Sequence, residues 1–167
     1  MDERSKIDES LSLLLQKSDV YPVLNLIENI KQNLNCLIIS LECLNGSSII
    51  LQNLGQILPS KLEYLDLTLF IKASDFEVFL KDSKGTFIKK LLIRDLMRED
   101  KDNILTYIKE YIMKEKRVRY LSFSIYYNYE ELFHFSKEVK EFKLHNIEVQ
   151  SYSDLYIDIY RFAQKLD

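Results

Sequence analysis

The frame Leu-x-x-Leu-x-Leu constrains this chain more than any other feature. It is clearest in "KLEYLDLTL", where Leu62, Leu65 and Leu67 occupy it. It recurs as Leu34, Leu37 and Ile39; as Ile88, Leu91 and Ile93; as Val118, Leu121 and Phe123; and as Val139, Phe142 and Leu144. Around these apolar positions the chain alternates with polar ones, and a period of two puts the two sets on opposite faces of a strand. Successive copies start 21 to 30 residues apart. That is too far for a tight hairpin and far enough for a strand followed by a helix.

The intervening segments read as helices. Residues 47–58 carry Ile50, Leu51, Leu54 and Leu58 at helical spacing, and Pro59 follows. Ser74 and Glu77 have capping-box spacing ahead of an apolar stripe that closes at Gly85. Residues 102–116 place Ile104, Leu105, Ile108, Tyr111 and Ile112 on one side, and "YEELFHFSKE" predicts a shorter helix. Upstream, Pro22 suits a first helical turn, and Ile7, Leu11 and Leu14 align as a short amphipathic helix over 5–17. Downstream, Tyr152, Leu155, Tyr156, Ile159, Phe162, Ala163 and Leu166 share a helical face. The division expected is a single domain over 1–167: an N-terminal helical cap over 1–33, five strand–helix units over 34–150 and a C-terminal capping helix over 151–167.

Strand–helix alternation also describes doubly wound sheets, whose strands are apolar on both faces. Here one face of each strand is polar, so helices are expected on the other face only, and no glycine-rich phosphate loop is present. Helices are wider than the spacing between strands, so the expected fold is α/β: a short right-handed solenoid arc with a parallel sheet on the concave face and helices on the convex face. The frame and its period resemble leucine-rich repeats of the ribonuclease-inhibitor-like class over roughly 22–166. That family expects Asn or Cys at the tenth position, which is Cys43 in the first copy but Ile71, Met97, Tyr127 and Glu148 in the others. The phrasing is also similar to the degenerate repeats of fungal F-box/leucine-rich-repeat families. That resemblance implies substrate recognition in a ubiquitin-ligase-type complex, although the first 33 residues show no Leu-Pro-x-Glu pattern of an F-box.

Composition narrows the function classes. With 23 Lys and Arg against 26 Asp and Glu, the net charge of −3 gives no global field for nucleic acid or an anionic membrane. The basic residues of "KEYIMKEKRVRY" are interleaved with Glu110 and Glu115 and sit where a helix C-terminus favours cations. Cys36 and Cys43 lack zinc spacing, and His134 and His145 accompany no nucleophile motif, so neither a cofactor, a metal nor catalysis is expected. No window is apolar enough to span a membrane, and the acidic N-terminus lacks a signal-peptide pattern; a cytoplasmic or nuclear location is expected.

The expected function is therefore a protein-interaction module that binds a partner on its concave strand face. By parity that face carries Ile38, Tyr64, Asp66, Thr68, Lys90, Leu92, Arg94, Tyr120, Ser122, Lys143 and His145. Tyr and Arg are common interface anchors, and Ile38 and Leu92 are apolar where water is expected. Tyr126 and Tyr127, just past a strand, form a candidate rim or pack beneath the short helix. The alternative is a self-assembling structural protein that forms homo-oligomers through the two ends of the solenoid.

Overall fold

A computed structural model describes residues 9–15, 19–97 and 100–158. Five strands run parallel and in chain order: β1 (Glu9–Leu15), β2 (Leu34–Leu41), β3 (Lys61–Leu69), β4 (Phe87–Asp95) and β5 (Val118–Ile125). The helices alternate with them: α1 (Tyr21–Ile30), α2 (Leu44–Ile57), α3 (Ala73–Asp82) and α4 (Lys101–Tyr107), the last continuing as a π-helical turn over Ile108–Met113. Beyond β5 come β6 (Glu130–Glu131), α5 (Ser136–Leu144), β7 (Glu148–Val149) and α6 (Tyr152–Leu155). Both β6 and β7 pair with β5, the first antiparallel and the second parallel.

Register explains why the frame repeats. Leu37, Leu65, Leu91 and Leu121 are Cα partners in one row across the sheet, and Ile39, Leu67, Ile93 and Phe123 form the next. Each row is buried, and it meets Leu24 and Ile27 of α1, Ile50 and Leu54 of α2, Phe76 and Phe79 of α3, and Ile104, Ile108 and Ile112 beyond. A buried side chain of this size contributes roughly 1.5–3 kcal/mol, so the rows hold the sheet to its helices. Helix α2 lies close against α3 at Gly55, where a methyl group would lie 2.7 Å from the Phe79 carbonyl oxygen.

Buried polar side chains tie the turns that follow the strands. The Asp95 carboxylate accepts N–H bonds from Ile71 at 3.1 Å and Met97 at 2.7 Å, tying two successive turns. Ser47 Oγ accepts from Phe70 N at 3.1 Å and donates to the Leu41 carbonyl. Arg117 is buried and gives its guanidinium to the carbonyls of Leu80 and Ser83, satisfying the open C-terminus of α3.

Four expectations are corrected. Residues 9–15 form a strand rather than a helix: "ESLSLLL" also alternates, and Leu11 and Leu13 stand in register with Leu37 and Ile39. Val139, Phe142 and Leu144 lie on α5, not on a fifth strand; the i, i+3 spacing of Val139 and Phe142 suits a helix equally, and Leu144 is exposed. The fifth unit's strand is the two-residue β7 instead. The capping box does not form, because α3 starts one residue before Ser74 and Glu77 accepts from the Tyr111 hydroxyl and pairs with Lys81. Finally, residues 152–155 do not cap an end of the sheet but cross the face opposite the helices; Ile159, Phe162, Ala163 and Leu166 lie outside the described residues.

Candidate functional site

On the face away from α1–α5, parity and parallel register produce three rows. The first is Cys36, Tyr64, Lys90 and Tyr120; the second is Ile38, Asp66, Leu92 and Ser122; the third is Ser40, Thr68, Arg94 and Ser124. The sequence predicts a wet surface here. The structure instead covers its centre with residues 151–158: Tyr64 and Asp66 are each 2% exposed, and Leu92 and Ser122 are fully buried. Ile38, Thr68, Lys90, Arg94 and Tyr120 are half-buried at the margins. The cause lies in the outward apolar positions themselves, because Leu92, Ile38 and Tyr64 form a floor onto which Tyr152, Leu155 and Ile157 close.

Specific bonds fix this cover. Ser151 caps the single turn of α6 by accepting from Asp154 N. Tyr152 N donates to Glu131 Oε2 at 3.0 Å, and the Tyr152 hydroxyl donates to Asp66 Oδ2 at 2.7 Å. The Arg94 guanidinium lies 3.6 Å from the centre of the Tyr152 ring. Further along, Ile157 N donates to the Tyr64 hydroxyl at 3.3 Å. The Tyr64 hydroxyl in turn points to Asp66 Oδ2 at 3.5 Å.

Burial dominates the electrostatics. It pushes the Asp66 carboxyl up to about 6, against the Tyr152 hydrogen bond and the Arg94 charge, which both favour the carboxylate. Burial and the neighbouring Asp66 raise both the Tyr64 and Tyr152 phenols, which stay protonated as donors. Among the described residues, three buried polar atoms of the face have no hydrogen-bond partner: Asp66 Oδ1, Ser122 Oγ and Ser124 Oγ.

At the margin the aromatic groups run on in a line. Tyr127 meets Tyr126 edge-on at 5.5 Å, Arg94 lies 5.7 Å from the Tyr126 ring, and Tyr152 stacks on Tyr156 at 5.8 Å. Tyr126, Tyr127 and Tyr156 are 49%, 63% and 50% exposed. Tyr126 and Tyr127 thus stand at an open rim and do not pack beneath a helix. Lys143 and His145, expected on the strand face, lie instead on α5 and just past it, with Lys143 exposed.

The residues that sequence reasoning missed are Tyr152, Leu155, Ile157 and Glu131. Ile38 and Leu92 were the available signal, since two apolar side chains on an outward face call for a cover. Among the described residues no group of three His, Cys, Asp or Glu side chains could hold a metal ion, and no helix is long and apolar enough to cross a membrane. A cavity of about 120 Å³ lies between α4 and residues 130–138, lined by Lys101, Phe123, Glu130 and Phe135; substrate pockets commonly hold about 300–1,000 Å³. No family model, curated protein or solved structure matches this chain.

Proposed function

We propose that this chain is a protein-interaction module built as a short leucine-rich-repeat-like arc. Strands in chain order, helices stacked on one face and frame residues in register support the arc. The observation that carries the interaction reading is the set of exposed rings Tyr127, Tyr126 and Tyr156 beside the half-buried Arg94. Tyr and Arg are the residues on which interfaces most often depend, and ordering a half-rigid ring costs little side-chain entropy. The partner is a protein that docks on this rim, and no cofactor takes part. Membership of a ubiquitin-ligase-type complex, implied by the similarity of the repeats to those of F-box/leucine-rich-repeat families and with no F-box pattern in the first 33 residues, would appear as co-capture of a cullin-type scaffold.

The test is quantitative affinity capture with the whole chain and with Tyr126→Ser/Tyr127→Ser. The expected outcome is at least a tenfold loss of the specific partner at an unchanged melting temperature, as for removal of interface anchors worth about 1.4 kcal/mol or more. Equal retention by the variant sinks the reading. Self-assembly is the second reading, favoured by one observation: among the described residues β1 stands at the end of the sheet and pairs only with β2. An open edge can add a strand from another copy. Light scattering at two concentrations separates the readings, since a strict monomer excludes self-assembly.

A further inference from the structure

We propose that the strand face beneath residues 151–158 is a binding site for a Tyr-x-x-Leu segment of a partner protein, and that the chain's own segment keeps the site closed until that partner displaces it. This rests on the reading of the chain as an interaction module, but it concerns the covered face rather than the exposed rim.

The seated segment has the form of a bound peptide. It is one helical turn, Tyr152–Leu155, followed by residues 156–158 outside any helix or strand. Backbone pairing to the sheet ends at Gln150 N, which donates to the Leu121 carbonyl at 3.0 Å. Past that point the segment is held through side chains: a phenol on Asp66, a ring under Arg94, a leucine in the Leu92 cluster, and backbone N–H groups on the Glu131 carboxylate and the Tyr64 hydroxyl. These contacts could be supplied by a segment of another protein, because they recognise a tyrosine and a leucine at i, i+3 spacing and one backbone N–H beyond them.

The floor also shows that the present occupant is an incomplete ligand. Among the described residues, Asp66 Oδ1, Ser122 Oγ and Ser124 Oγ are buried beneath or beside it without partners. Unsatisfied groups of this kind weaken the closed state, and a ligand bearing a donor for them binds better by that margin. Asp66 is central: it is 2% exposed, one carboxylate oxygen is occupied by Tyr152, and the other is unpartnered. The partner segment is therefore one whose tyrosine reaches Asp66 Oδ2, whose leucine follows three residues later, and which carries an amide or basic donor within reach of Asp66 Oδ1.

A fluorescent nonapeptide with the sequence of residues 150–158 serves as the probe, titrated against the whole chain and against Tyr152→Ala/Leu155→Ala. The tethered segment competes at an effective concentration in the millimolar range, so the double variant should bind the probe at least about tenfold more tightly than the unaltered chain. The Tyr152→Phe form of the probe should bind the variant about tenfold more weakly, having lost a hydrogen bond to a charged group. A folded double variant that binds the probe no better than the unaltered chain, or that binds both probes alike, overturns the proposal. Should the variant not fold, hydrogen exchange of the unaltered chain decides. Amides of 152–157 exchanging at least about 100-fold faster than those of β3–β5 support displacement, and equal protection overturns it. The rim test uses Tyr126 and Tyr127, so failure here leaves the interaction module itself standing.

Discussion

On the helix face of the sheet, every row of strand side chains meets a row of helix side chains, and the contacts are leucine, isoleucine and phenylalanine almost throughout. On the opposite face, one helical turn and a short extension meet a floor where Tyr64 and Leu92 lie beside Asp66, Ser122 and Ser124. Both faces are dry, but for different reasons. The first is dry because five units supply matching apolar stripes, and removing one stripe exposes the whole stack. The centre of the second is dry because a single segment lies on a floor that mixes the apolar Leu92 and Tyr64 with the buried polar groups of Asp66 and Ser122. Burial alone therefore does not distinguish a core from an occupied site; the polarity of what is buried does.

The largest test of this difference is Phe76→Ala on the helix face. Phe76 is fully buried and stacks at 6.0 Å on Phe79. Its loss should cost about 3–5 kcal/mol, read as a lowered urea midpoint at constant slope.

Acidity comes second. The carboxyls of Asp66 and Asp95 are pushed up to about 6 and about 7 by burial, from an ordinary 3.8. Both folded-state values exceed the unfolded one, so their contribution is fully present below about pH 4 and is lost as pH rises through 6 and 7. The chain should be more stable at pH 5 than at pH 8, by about 2–4 kcal/mol in urea titrations. Asp66→Asn should remove the share of the strand face, and Asp95→Asn that of the helix-side turns. A stability that is flat in pH would mean that neither group is dry.

The smallest effects should come from the covering segment, and they should not add. Tyr152→Phe and Leu155→Ala are each expected to cost about 1–2 kcal/mol, because any larger loss is avoided by the segment detaching. Their combination should therefore cost little more than the larger single change. Distant helix-face pairs, such as Ile50→Val with Ile108→Val, should add. Additivity on both faces would make the segment an ordinary part of the core.

Much of the fold is legible in the sequence because the frame recurs in register. Positions 34 and 118 each open a strand, positions 62 and 88 are the second residues of theirs, and the apolar stripes of α2 and α4 are unambiguous. The errors fall where one residue set fits two periods. Leu11 and Leu14 satisfy a helix while Leu11, Leu13 and Leu15 satisfy a strand, and only pairing with β2 decides between them. Val139 and Phe142 satisfy both, and the Lys- and Glu-rich context of α5 favours the helix. The covered face was out of reach for another reason. Asp66 and Tyr152 are 86 residues apart, and no local pattern encodes such a contact.

That separation has a consequence in time. The sheet's neighbours meet through units a few tens of residues long, whereas Asp66 and Tyr64 wait for partners 86 and 93 residues further on. At roughly 5–20 residues per second of synthesis, β3 exists for about 5–20 s before its cover has been made. Every newly made copy therefore passes through an interval with this face bare, and a displacing segment of the kind proposed above would have its first opportunity while the chain is still on the ribosome.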